Sequence, residues 1–321
     1  IACAMLLRDF RKTAMKQDLT IHQLRLFLKV AETQSISKAA SAMVMPQPAL
    51  SRLIARVEKS LGATLLERGG KGVVLTPAGE RFRDHAAGMV CHHDQAFADV
   101  QAGEGTLHGE VRIAAPESVA NVLFVPLIKQ FRRLHPQAAV RAVAAASLSI
   151  PALLDNGMID IGVIGDTHAA PGCRLEPVCR EDFFLIGPQD ADLVSQPEIP
   201  LRQLDGVPLI LNAMPGGFRG QIDRAFQDVK RQPKVVIEID ANDPLLDMVL
   251  DGEGFAILPF SSIARKHYSA RLSAARIVSP RITRKLLLAT PAGRALPAAG
   301  REAAAQIRQL MTGGLRGAGW R

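Results

Sequence analysis

Ser37-Lys-Ala-Ala-Ser-Ala-Met-Val-Met-Pro-Gln-Pro-Ala-Leu-Ser-Arg-Leu-Ile-Ala-Arg-Val-Glu-Lys-Ser-Leu-Gly62 is the stretch on which the fold of this 321-residue chain turns. Ser35 and Ser37 open a short helix with Ala39, Ala40 and Met43 inward, and the alanine pair lets another helix approach closely. Met45-Pro46-Gln47-Pro48 breaks that helix. A longer one follows with Leu50, Leu53, Ile54, Val57 and Leu61 inward, and Gly62 stops it. Its outward face carries Gln47, Ser51, Arg52, Arg56 and Lys59. Upstream, Leu24, Phe27, Leu28 and Ala31 recur at helical spacing, which predicts a helix over about Ile21–Glu32 with Thr20 as its N-cap. Downstream, two β-like runs flank Gly69-Gly70-Lys71-Gly72, a hairpin with a basic tip. Three helices and such a hairpin describe a winged helix-turn-helix, an all-α-type head.

Pro77 suits the first turn of a further helix, expected to reach about Gln101. On it Phe82, Ala86, Met89, His93, Ala96 and Val100 are spaced as a heptad-like seam, so Phe82, Ala86, Met89, Ala96 and Val100 are candidates for pairing two copies of the chain. Gly103, Gly105 and Gly109 then mark a boundary. Beyond it strands and helices alternate: Val111–Ala114, Ser118–Leu134, Val140–Ala144, Ile150–Asn156 and Ile159–Ile164. This βαβαβ order implies a parallel sheet, and so an α/β domain. Further strands at Phe183–Ile186, Leu209–Leu211, Val235–Ile239 and Phe255–Leu258, with helices at Phe218–Val229 and Pro244–Leu250, imply a second lobe and a cleft. The resulting domain map is an extension over 1–15, a winged head over 16–77, a linker helix over 78–105, a two-lobed domain over 106–300 and a basic tail over 301–321. The chain begins with Ile, so residues 1–14 read as an upstream extension and Met15 as a natural start.

The net charge is +8, but it is unevenly spread. Residues 1–108 carry +4, residues 109–264 carry −7 and residues 265–321 carry +11. Since most of the excess lies at the C-terminal end, bulk charge does not locate a nucleic-acid site, and residues 265–321 read as a solvated basic face. The DNA case rests on local pattern. A recognition helix needs short polar and cationic groups near its start, because those reach base edges in the major groove. Gln47 suits adenine, Arg52 and Arg56 suit guanine or phosphate, and Ser51 suits phosphate. Pro48 belongs to the same turn, Lys38 lies beside it, and Arg68 and Lys71 on the wing suit backbone or minor-groove contact. No apolar run approaches the roughly 20 residues of a membrane helix, and no secretory signal opens the chain, so a cytoplasmic protein is expected.

The ordered run Ala39-Ala40, Met43, Gln47-Pro48-Ala49-Leu50-Ser51-Arg52, Glu58, Leu61-Gly62, Leu65-Leu66-Glu67-Arg68 and Leu75-Thr76-x-Ala78-Gly79 closely resembles the LysR-type transcriptional regulators. Gly109-Glu-Val-Arg-Ile113, Phe131-x-x-x-His-Pro136, Gly157-x-x-Asp160-Ile-Gly162 and Gly252-x-Gly254-x-Ala256-x-Leu258-Pro259 extend the likeness over about residues 16–295. The resemblance implies a regulator that binds promoter DNA at an interrupted dyad. It further implies a homodimer or homotetramer, a small-molecule effector in a domain like type 2 periplasmic-binding proteins, and RNA polymerase as a further partner. It implies no cofactor, no metal, no membrane and no catalytic residue. One departure stands out: Pro46 replaces the small polar residue usual before the Gln-Pro pair, which removes an N-cap hydroxyl worth about 1 kcal/mol.

In two-lobed α/β domains ligands sit at strand C-termini and helix N-termini between the lobes. That rule selects Ser118, Ser147, Gly165, Asn212, Pro215 and Gly216 as effector contacts, with a carboxylate or other anion as the expected ligand. Glu117 would oppose an anion if it faced the cleft. Other clusters fall away. His92 and His93 lie about 100° apart on a helix, so His85, Cys91, His92, His93 and Asp94 make a poor metal site. Cys173 and Cys179 lack a CxxC spacing, and Gly252-Glu-Gly254 lacks the third glycine of a dinucleotide fingerprint. GxSxG, Walker and HExxH motifs are absent. The alternative to a regulator is a solute-binding or enzymatic α/β protein with an appended interaction domain.

Overall fold

The computed structural model describes residues 19–69, 72–101, 107–166, 170–213, 218–263 and 270–314. The chain divides into two compact units, with the main boundary after Gln101.

In the N-terminal unit α1 (Ile21–Thr33) opens with a capping box: Thr20 Oγ1 accepts from Gln23 N–H and Gln23 Oε1 accepts from Thr20 N–H. Its buried residues are Leu24, Leu26, Phe27 and Val30. The expected stripe had Leu28 and Ala31, which are only half-buried. The difference arises because α1 is packed by three other helices rather than one. α2 (Ile36–Ala42) is capped by Ser35 and buries Ala39 and Ala40. α3 (Gln47–Leu61) buries Leu50, Ile54 and Val57 and ends at Gly62 in the left-handed region, where glycine carries no Cβ penalty. β1 (Leu66–Gly69) and β2 (Gly72–Leu75) pair antiparallel. Glu58 fixes this wing to α3, because its Oε1 accepts from both Leu65 and Leu66 N–H. α4 (Pro77–Gln101) follows. A Cβ at Gly79 on its first turn would lie 2.1 Å from the Leu65 carbonyl oxygen, so no other residue fits there.

The C-terminal unit is built on β3 (Gly109–Ala115), α5 (Glu117–Leu134), β4 (Ala138–Ala144), α6 (Ile150–Asp155) and β5 (Ile161–Gly165). β3 lies parallel to both β4 and β5, as the βαβαβ order requires. The parallel expectation fails beyond that point. β6 is a 16-residue strand, Cys173–Pro188, of which the sequence pattern marked only Phe183–Ile186. Its first part pairs antiparallel with β12 (Thr283–Pro291), and β12 pairs antiparallel with β5. Its last part joins a second sheet, between β10 (Phe255–Pro259) and β11 (Leu272–Val278). That sheet continues through β8 (Pro208–Leu211) to β9 (Lys234–Glu238) and, on the far side, to β7 (Glu198–Pro200). α7 (Arg219–Asp228) and α8 (Asn242–Leu250) pack on the second sheet. Each sheet with its helices is one lobe with its own apolar core.

The C-terminal expectation is also corrected. Residues 301–321 do not form a tail along their described part, which extends to residue 314. α9 (Ala298–Gln309) buries Ala299, Ala303, Ala304 and Ile307 in the core of the first lobe. No helix among the described residues is long and apolar enough to cross a membrane.

Candidate functional site

The first site lies on α3. Pro46 occupies the N-cap without a side-chain hydrogen bond, as expected from its missing hydroxyl. Gln47, Pro48, Arg52 and Arg56 are exposed, Lys38 is exposed beside them on α2, and Ser51 is half-buried. Ser37 Oγ donates to Gln47 Oε1 at 3.0 Å, which turns the Gln47 amide N–H groups outward. Sequence reasoning missed Ser37 in this role, because the pair is ten residues apart across a helix break. Elsewhere in the unit Arg25 pairs with Asp94, Lys29 with Glu32, and Arg83 with Glu80 and Asp84, while Lys59 and Arg81, like the cations around the start of α3, form no ion pair among the described residues. Lys38, Arg52 and Arg56 have no ion-pair partner among the described residues. A cationic, amide-bearing helix start without matching carboxylates suits a polyanion such as duplex DNA. The Arg68 side chain and Lys71 lie outside the described residues.

The expected seam on α4 divides in two. Phe82 packs on Phe27, with ring centroids 5.0 Å apart, and Ala86 is fully buried in the head's own core. Ala86 has no surface left for a second copy, whereas Phe82 stays half-buried. Met89, Ala96 and Val100 are exposed, with Phe97 beside them. His93 stacks on Phe97, and its Nδ1 lies 3.0 Å from Asp94. No grouping with metal-ligand geometry occurs among the described residues.

The second site is a cavity of about 1080 Å3 between the two lobes of the C-terminal unit. Ser118, Ser147, Gly165 and Asn212 all line it, so four of the six effector candidates come together. Pro215 and Gly216 lie outside the described residues. Much of the polar capacity is already used. Ser147 Oγ accepts from Gly165 N–H at 3.3 Å, and Asn212 Nδ2 donates to the Ile239 carbonyl at 3.3 Å. Ser118 is buried, and its Oγ accepts from Arg284 Nη2 at 3.0 Å. Glu117 belongs to the lining as well.

Arg284 is the residue the sequence reading missed. Its segment reads as a solvated basic face, yet Arg284 is buried on β12. Its Nε donates to Glu181 Oε2 at 2.8 Å and its Nη2 lies 2.5 Å from the same oxygen. Its guanidinium carbon stands 4.7 Å from the Phe218 ring centroid. Glu181 lies on β6 where that strand passes between lobes, so this group ties α5, β6, β12 and the second lobe at one point. The remaining landmarks are structural. Arg112 Nη2 donates to Asp160 Oδ1 at 2.9 Å within the first lobe, both side chains being buried.

Cys173 and Cys179 do not form a redox pair. Burial, reinforced by nearby Glu181, pushes the Cys179 thiol up to about 12. Burial and then Asp155 raise that of Cys173. Six residues apart on one strand, they are separated by about 20 Å, far beyond disulfide reach.

Both parts of the chain match known protein families. Residues 21–80 match the family model described as bacterial regulatory helix-turn-helix protein, lysR family. Residues 104–312 match the LysR substrate binding domain. The chain is 30% identical over 247 residues to the HTH-type transcriptional regulator DgdR of Burkholderia cepacia, covering 77% of this chain and 80% of that protein. It is 28% identical over 275 residues to the nitrogen assimilation regulatory protein nac of Escherichia coli, covering 85% and 89%. In fold it resembles full-length CbnR in a crystal structure with its target DNA, with a TM-score of 0.71 at 22% identity over 90% of this chain and 100% of that one.

Proposed function

The chain belongs to the LysR family of bacterial transcriptional regulators, and from that premise we propose how its residues divide the work. The helix-turn-helix head binds DNA, the two-lobed domain binds a small-molecule effector, and the protein works as an oligomer. In this reading Gln47 and Arg52 read base edges, with Ser51, Arg56 and Lys38 on phosphates and the wing against the adjacent backbone. The observation that carries it is the start of α3, where the Gln47 amide is oriented by Ser37 and the neighbouring cations face no carboxylate. The exposed stripe Met89–Phe97–Val100 pairs two linker helices, so that two heads address two half-sites. Ligand in the cleft shifts the balance between lobe arrangements, by no more than its differential affinity for them. Promoters lie in the cytoplasm, and so does this protein. The enzymatic alternative is set aside by the family.

Footprinting on promoter DNA tests the assignment. Gln47→Ala and Arg52→Ala each weaken specific binding by about 1–3 kcal/mol with the fold intact. Lys38→Ala instead weakens all sequences alike and flattens the salt dependence. Unchanged affinity in both of the first two variants removes α3 from the interface.

A further inference from the structure

We propose that the first lobe holds a second ligand site, separate from the cleft, for a small anion with several charged oxygens, such as a phosphorylated metabolite or a polycarboxylate. The site is a cavity of about 600 Å3 formed where β6 begins, β12 ends and α9 starts. It lies at the other end of β12 from Arg284. Its volume falls within the range of small-molecule pockets, roughly 300–1,000 Å3. Four arginines line it, Arg174, Arg294, Arg301 and Arg308, against one carboxylate, Glu176. The positive sign survives the pairings around it. Arg308 is matched by Glu176, to whose two oxygens its Nε and Nη2 donate at 2.8 and 2.9 Å. Arg294 Nη2 donates to the Leu154 and Ile159 carbonyls, beside Asp155, and is set against that acid. Arg174 and Arg301 remain, both exposed and without an ion-pair partner among the described residues. Residues 167–169 and 315–321 carry no Asp or Glu, the latter adding Arg316 and Arg321, and residues 102–106 carry one acid, Glu104. Counting Glu104 against the pocket still leaves it cationic.

The arginines are also held in place. Arg301 Nη1 donates to the Leu296 carbonyl at 2.7 Å, which leaves its Nε and Nη2 for a ligand. A guanidinium fork meets phosphate or carboxylate oxygens in pairs, and a side chain already anchored loses less freedom on binding. α9 begins at the same rim, with Leu296 just before it and Arg301 on its first turn. Pro297 at its N-cap supplies no side-chain acceptor, and the positive end of the helix adds to the same sign. Arg174 comes from β6 and Arg301 from α9, so an anion with charge at two points bridges the two elements, whereas a monoanion meets one. Phosphate esters and polycarboxylates share that chemistry.

The test uses the full-length protein with calorimetry and thermal shift at fixed ionic strength. The probes are pyrophosphate, ATP, citrate, acetate as the monoanion, and a DNA duplex without promoter sequence. The variants are Arg174→Gln, Arg301→Gln, both together, Glu176→Gln, and Arg202→Gln as a control at an exposed arginine of the second lobe. The expected result is binding of a multiply charged probe but not of acetate. Its affinity falls about tenfold in each single arginine variant, is lost in the double variant and is unchanged in Arg202→Gln. It rises in Glu176→Gln, where the opposing carboxylate is gone, a gain that a merely structural role does not give. Pyrophosphate or ATP without citrate identifies a phosphate ligand, and citrate alone a polycarboxylate. The proposal is overturned if no multiply charged probe binds, if the double variant binds as the parent does, or if Arg202→Gln weakens binding as much as the pocket variants. It is equally overturned if the double variant loses only affinity for the duplex, since the arginines then contact DNA phosphates. Circular dichroism of the double variant confirms that the loss is of binding and not of the fold.

Discussion

Val44 sits in the turn between α2 and α3 with φ at +51° and 93% of its surface exposed. A β-branched residue in the left-handed region is strained by about 1–2 kcal/mol, and its exposed side chain returns little burial. Asparagine tolerates that conformation. Val44→Asn is therefore expected to raise head stability by about 1 kcal/mol, seen as a higher midpoint in urea unfolding; a lower midpoint would show that the turn depends on valine. The thiols give a second residue-scale expectation. Cys179, with its thiol near 12, and Cys173, also raised, stay protonated at neutral pH, and it is the thiolate that reacts. Peroxide should leave DNA affinity unchanged and both cysteines unmodified by mass spectrometry in the folded protein. A Cys173–Cys179 disulfide under those conditions would contradict the strand geometry.

At the scale of elements, α4 serves two masters along its length. Ala86 is sealed in the core with Phe27 and Phe82, whereas Met89 is exposed one turn on. Ala86→Glu should unfold the head, since a carboxylate there is buried without a partner. Met89→Glu should leave the head folded and weaken self-association, read by sedimentation velocity. If both variants behave alike, the division of α4 is wrong. The heptad spacing made the stripe legible in the sequence, but not where the stripe changes partner. That depends on α1, which arrives from more than fifty residues earlier. The recognition helix was legible because its signals are local: Pro48 at its start, Leu50, Ile54 and Val57 at helical spacing, Gly62 at its end. α9 was not. Its buried face is mostly alanine, Ala299, Ala303 and Ala304, too weakly apolar to stand out among Arg294, Arg301 and Arg308.

In the whole C-terminal unit the decisive pair is Glu181 with Arg284, 103 residues apart in the chain, and nothing local in either segment announces it. Removing one partner strands a buried charge, so Glu181→Leu or Arg284→Met alone should cost about 3–5 kcal/mol, while the two together should cost much less. Urea unfolding of the four corners of that double-mutant cycle measures the coupling; additive losses would mean that the two side chains act separately. This pair stands where the polypeptide passes between lobes, at Asp182–Phe183 on β6 and again at residues 279–282 before β12. Phe183 N–H donates to the Ile282 carbonyl at 2.9 Å, joining the two passages. Two neighbouring tethers have a kinematic meaning that a single linker lacks. One strand would let a lobe swivel about any direction, whereas two bound side by side resist twist and leave one soft bending axis. Whatever fills the cleft is thereby read as a single angle, so ligands of different shape differ in the degree of one motion rather than in its kind.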